Sequence, residues 1–132
     1  FFSAIEDCLK NDFACNGYRL IIYSDQPAEL AAWVSLVPED EARDTIPGLV
    51  QNKKPMLGLL RAEERQYSFT NHASKVTSAA VSPIRFSGGE GILALGNKDA
   101  GYFHAGMGTL FLNFIIDVIC RLLPQYLDIP SK

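Results

Sequence analysis

Gly91 to Phe111 reads GILALGNKDAGYFHAGMGTLF, and the fold turns on how this stretch is understood. Small and apolar residues, Gly91–Asn97, lead into a polar loop, and Gly106-Met107-Gly108-Thr109 then opens an apolar segment. Two readings compete: a glycine loop that grips phosphate, or a turn and cap that begin a helix. A Walker-type loop needs Lys followed by Ser or Thr after its glycines, because the ammonium neutralises the outer phosphates and the hydroxyl binds magnesium. Here Thr109-Leu110 follows Gly108, with no Lys. A dinucleotide fingerprint needs a third small residue where Phe111 stands, so that helix and strand can pack closely. The stretch is therefore a strand, a loop and a helix capped near Thr109.

Outward from that stretch, the pattern of the rest of the chain follows. Val76 to Arg85 and Gly91 to Asn97 flank FSGGE, which predicts a β-hairpin turning at Gly88-Gly89. Both strands carry Ala, Ser and Gly on both faces, which suits close approach by a helix or a ligand. Leu110 to Leu123 is an apolar helix that Pro124 should end. Upstream, Phe1, Phe2, Ile5, Leu9 and Phe13 recur at helical spacing, Tyr18 to Tyr23 (YRLIIY) reads as a strand, and Met56 to Leu60 as a short strand containing Gly58. Ala28 to Val37 fits a short helix or a strand equally. A helix should start after Pro38 and falter near Pro47-Gly48. These elements predict a single α+β domain over residues 1–132, with a central antiparallel β-sheet and the N- and C-terminal helices packed on one face. The first helix is expected over residues 1–15, continuing from a segment upstream of Phe1, and the last over 107–123.

Bulk composition narrows the function classes. The 132 residues are 48% hydrophobic and 20% charged, with a formal net charge of −3. That balance describes a globular domain with one core, and the absence of a basic run gives nucleic-acid binding no electrostatic footing. The three cysteines, Cys8, Cys15 and Cys120, form no C-x-x-C pair, and their odd number argues against a disulfide framework and for a reduced, cytoplasmic setting. Leu110 to Leu123 is too short for a membrane span and contains Asp117 and Arg121.

GILALGNKDAGYFHAGMGTLFLNFI resembles the closing segment of a GAF domain, in which a strand is followed by Asn-Lys, a loop, a Phe and a final helix. Asn97, Lys98 and Phe103 match the cyclic-nucleotide signature of some GAF domains, whereas Met107 and Gly108 stand where it has Asp-Glu. A more specific match covers the C-terminal half: Gly58, Phe69, Ser78 to Ile84, Gly91 to Asp99 and Phe103 to Leu112 resemble the bacterial DUF484 family, a GAF-like group of unknown biochemical function. The resemblance implies a GAF-like (PAS/GAF/profilin-like) fold with a small-molecule cavity between the sheet and the variable helices.

On that basis Met56, Gly58, Ser78, Ala80 and Ala94 are expected on central strands beside the cavity, Trp33 in its lid, and Arg61 at a strand end where it could neutralise an acidic ligand. These positions compete with a plainer role in which small residues let helices pack and Arg61 is solvated. No catalytic residues, metal ligands or cofactor are expected: His72 and His104 have no ligand spacing, and Ser78 and Ser82 sit in a strand rather than a strained elbow. Between Leu110 and Leu123 the only polar residues are Asn113, Asp117 and Arg121, a stripe far narrower than a surface helix needs. The apolar surplus needs another surface, either the Phe1–Phe13 helix within the same domain or a second subunit. Because GAF domains often dimerise through their first and last helices, the resemblance favours a homodimer through Phe2, Ile5, Leu9, Phe111, Ile115, Val118 and Leu122. The sequence thus points to a non-catalytic sensory or regulatory module that binds a small molecule and dimerises. The alternatives are a thiol-based reductase resembling the GAF-type methionine sulfoxide reductases, and a ligand-free protein-interaction scaffold.

Overall fold

In a computed structural model the described residues are 2–11, 15–24, 28–31, 33–51, 54–86, 89–104 and 110–126. In chain order they form α1 (Phe2–Asn11), β1 (Gly17–Tyr23), β2 (Ala28–Ala31), β3 (Val34–Val37), α2 (Glu39–Thr45), α3 (Pro47–Gln51), β4 (Met56–Gly58), α4 (Ala62–Phe69), a 3-10 segment (Thr70–Lys75), β5 (Ser78–Phe86), β6 (Gly89–Asn97) and α5 (Leu110–Tyr126). The protein is α+β. Its sheet has six strands in the order β2-β3-β1-β6-β5-β4.

The sheet is mixed rather than antiparallel throughout. Ala28–Val37, ambiguous in sequence, folds as two short strands: β2 lies antiparallel to β3, and β3 runs parallel to β1 with Leu20 opposite Val34 and Tyr23 opposite Val37. Once β2 takes the outer edge and the chain turns back, β3 must fill the gap beside β1 in the same direction as β1. The predicted β5–β6 hairpin is present, in register from Ser78 opposite Asn97 to Phe86 opposite Gly89.

Alternation along the strands divides the core in two. Leu20, Ile22, Val34, Ala80, Ile84, Leu93 and Leu95 face α1 and α5, whose Ile5, Leu9, Leu112, Ile115 and Ile119 close that layer. Ala79, Val81, Ile92 and Ala94 face the other way, against Ala42 of α2, Ile46 just after it, Leu49 of α3, and Phe69 of α4. The terminal helices therefore share one face and the internal helices cover the other. Leu112, Ile115 and Ile119 recur at helical spacing and are almost fully buried, each worth about 1.5–3 kcal/mol of apolar burial.

Two expectations about the helices change. Helix α5 continues through Pro124 to Tyr126, because a proline in the final turn removes one intrahelical bond where little helix remains to lose. The expected dimer residues Ile5, Leu9 and Ile115 are buried inside the chain, at 8%, 0% and 2% exposure. They cannot meet a second subunit, since the sheet already covers them. Val118 is partly buried against the same core, and the side chains of Phe2, Phe111 and Leu122 lie outside the described residues. Among the described residues, the large apolar groups that α5 turns to solvent are Leu110 and Phe114, at 87% and 63% exposure. No helix among the described residues is long and apolar enough to cross a membrane.

Candidate functional site

The opening stretch proves to be a structural pin. After β6, the Asp99 amide donates to Asn97 Oδ1 at 2.8 Å and the Gly101 amide to Asp99 Oδ1 at 2.9 Å, folding the loop on its own side chains. Ser78 Oγ donates to the Asp99 carbonyl at 2.6 Å and accepts from the Phe103 amide at 3.2 Å. Those two bonds hold Phe103, fully buried, in the α1–α5 layer. Residues 105–109, with the glycines and the expected cap, lie outside the described residues.

The residues expected around one cavity are not brought together. Ser78 and Ala80 alternate with Ala79 and point toward α5, and Trp33 belongs to the same layer. Met56 and Ala94 belong to the opposite layer, both aligned with Val81 across neighbouring strands. Gly58 aligns with Ala79, and its φ of 147° is a conformation that favours glycine, so it ends β4 by bending the backbone. Arg61 is exposed and caps α4: its amide donates to Glu64 Oε1 at 3.0 Å and its carbonyl accepts from the Arg65 amide at 2.9 Å.

Concavities open on the surface among the described residues. One, about 640 Å³, lies between α3 and the β5–β6 end of the sheet. Both of its guanidiniums are neutralised, Arg43 by Glu39 at 2.6 Å and Arg85 by Glu90 at 3.0 Å. Another, about 470 Å³, lies beside α1 and shares Arg19 in its wall; there Tyr18 Oη donates to Glu6 at 2.5 Å and Lys10 pairs with the same carboxylate at 3.5 Å.

A further cavity, about 510 Å³, is roofed by α2 and α4 and floored by β1 and β3. Its floor is Ile21, Val37 and Arg19. Arg19 interrupts the apolar run of β1 on the face that also carries Ile21 and Tyr23, and it stands directly across from Ala94. The small methyl of Ala94 leaves room for the long side chain to lie along the sheet. One guanidinium nitrogen donates to Ser35 Oγ at 2.6 Å, from the buried face of β3. Among the described residues no carboxylate pairs with Arg19. A guanidinium taken partly out of water with only a hydroxyl for company is costly unless something else supplies charge.

Across the opening, Tyr67 Oη of α4 donates to Glu41 Oε2 of α2 at 3.2 Å. Burial, reinforced by the Glu41 carboxylate, pushes the phenol up to about 12, while the Arg19 charge acts in the opposite sense. Glu63, Thr45 and Gln66 complete the rim. The arrangement has an apolar floor with one cation set into it and two carboxylates above.

Sequence reasoning missed Arg19, Glu41 and Tyr67. The available signal was Arg19 itself, a lone charge on the otherwise apolar side of YRLIIY. Helix α4 gave little signal, because AEERQYSF has no apolar stripe.

Cys15 and Cys120 do not line this cavity. Cys15 is buried with the α1–α5 layer and Cys120 packs against it from α5. Burial raises the Cys120 thiol, partly opposed by a hydrogen bond from the Arg85 backbone. The Cys8 side chain lies outside the described residues.

A family model described as "Protein of unknown function, DUF484" matches residues 1–128. No curated protein matches the chain. The chain belongs to the DUF484 family.

Proposed function

We propose that this DUF484 domain is a GAF-like sensory or regulatory module that binds a small molecule without transforming it, in the cavity between α2, α4 and the sheet. The observation that carries this reading is Arg19, a half-buried guanidinium without a carboxylate partner among the described residues, set in the floor of a cavity of about 510 Å³. That volume lies within the range of small-molecule sites, and an apolar surface with a few placed polar groups is their usual lining. The layer order supports the GAF-like part of the reading: terminal helices on one face and variable internal helices on the other. Such folds keep their ligand on the internal-helix face. A regulatory role without catalysis is favoured because Cys15 and Cys120 lie in the other layer, and burial disfavours the thiolate at Cys120.

A ligand that draws α2 and α4 together would load the shared sheet, and through it α1 and α5 behind. The output surface in this reading is the outer stripe of α5, where Leu110, Phe114, Asp117 and Arg121 follow at spacings of four, three and four, the spacing of a helix–helix seam. A second copy packed in parallel would meet Leu110 and Phe114 with its own. Asp117, which binds Arg121 at 3.1 Å within the chain, could then reach the Arg121 of the second copy.

Thr45 is an exposed rim residue, so Thr45→Trp fills the cavity without disturbing the core. Native mass spectrometry of both proteins is expected to show dimers, with a releasable small molecule on the wild type alone. Identical bound mass on both, or none on either, would refute the reading.

A further inference from the structure

The charges of the α2–α4 cavity narrow the ligand further, an inference that rests on the cavity being a ligand site. We infer that it takes a small zwitterion with an apolar side group, the chemistry of a free apolar α-amino acid. The carboxylate would lie on Arg19, the ammonium at Glu41 and Glu63, and the side group on Ile21 and Val37.

The cation sits in the floor, where Ser35 fixes one of its nitrogens at 2.6 Å and leaves the others free to donate. A carboxylate is the planar acceptor that a guanidinium fork binds in two parallel bonds. Opposite it, Glu41 and Glu63 come from two different helices and line the same space. Glu41 accepts one bond, from Tyr67, and lines the cavity. One arginine against two glutamates makes the lining negative by one charge. A phosphate-bearing nucleotide would bring two negative charges into that lining, a repulsion one guanidinium cannot cancel. A simple amine would satisfy the glutamates and leave Arg19 unpaired, and a simple acid would do the reverse. A zwitterion satisfies both, and an apolar side group covers the remaining floor.

The 640 Å³ cavity does not share this pattern. There each arginine is matched by its own glutamate, so no charge waits for a ligand. The bond between Tyr67 and Glu41 bridges the two roof helices. An ammonium arriving at Glu41 competes with that phenol for the carboxylate, so occupancy and the position of α4 are linked.

Isothermal titration and thermal unfolding of the 132-residue chain test the inference with L-valine, L-leucine, L-isoleucine, L-methionine and L-phenylalanine. The comparison probes are N-acetyl-L-leucine, which lacks the ammonium, isopentylamine, which lacks the carboxylate, and adenosine monophosphate. At least one amino acid is expected to bind, raising the melting temperature by roughly 10 °C at a hundred times its Kd. The two blocked probes should bind at least about tenfold more weakly, and the nucleotide not at all. Arg19→Gln should weaken the amino acid roughly a hundredfold, Arg19→Lys should restore part of the loss, and Thr45→Trp should abolish binding. If N-acetyl-leucine, isopentylamine or the nucleotide binds as well as the amino acids and Thr45→Trp excludes it, the cavity is a ligand site but the zwitterion inference is wrong. If no probe binds, or binding survives Thr45→Trp, the inference is overturned, and native mass spectrometry decides the fate of the cavity separately.

Discussion

Removing Arg19 and Ser35 together should leave the protein nearly as stable as before, although removing either alone should weaken it. Ser35 is 4% exposed and its hydroxyl accepts the 2.6 Å bond from Arg19. Arg19→Met alone strands that hydroxyl, at a cost of about 1–3 kcal/mol for a buried polar group without a partner. Releasing the guanidinium from partial desolvation offsets some of this, for a net loss of about 1 kcal/mol. Ser35→Ala alone takes the acceptor from a charged donor; because Arg19 keeps some contact with water, that loss is also about 1 kcal/mol. In the double variant neither an orphaned hydroxyl nor an unpaired cation remains, and the stability should return to within about 0.5 kcal/mol of the wild type or exceed it. The coupling between the two sites is then about 2 kcal/mol. Urea unfolding is read directly from the fluorescence of Trp33, the only tryptophan and 4% exposed. A double variant that loses more than about 2 kcal/mol would place Arg19 in the structural frame, and the argument for a ligand would lose its main support.

Further perturbations test other parts of the structure. With its folded pKa raised from 10.0 to about 12, Tyr67 binds its proton more tightly folded than unfolded, so its contribution is complete below pH 10 and is lost as pH climbs toward 12. Glu41→Gln removes the carboxylate but not the burial, so a phenolate absorbance titration should show the Tyr67 pKa falling part of the way back. An unchanged value would mean that the two helices do not meet there. Gly91→Ala would drive a methyl into the Ile21 carbonyl and the Ile22 backbone. Strand β1 cannot yield without breaking its pairing with β6, so a loss of about 3 kcal/mol is expected on chemical unfolding, and a loss below 1 kcal/mol would contradict the close approach. Phe114→Glu puts a charge on an exposed apolar position; light scattering should show a folded monomer, and an unaltered dimer would move the interface off α5.

The functional residues were harder to read than the elements because their meaning depends on which strands become neighbours. Ser78 and Ala94 both read as small residues on central strands, yet Ser78 closes the loop that seats Phe103 while Ala94 clears space beside Arg19. Within one strand the alternation is visible in the sequence. Which face of β5 matches which face of β1 is settled by register across β6.

Local periodicity was enough for α1, β1, the β5–β6 hairpin and α5, since each is specified by residues within one or two turns or one pleat of each other. The motifs from Gly58 to Leu112 were enough for the family. Tertiary structure alone decided three things: that β3 runs parallel to β1, that α5 spends its apolar surplus mostly on its own sheet, and that Arg19, Glu41, Glu63 and Tyr67 share one cavity. All three depend on pairings between segments distant in the chain. Such pairings are selected by the burial and hydrogen bonding of the whole assembly, which no local window contains.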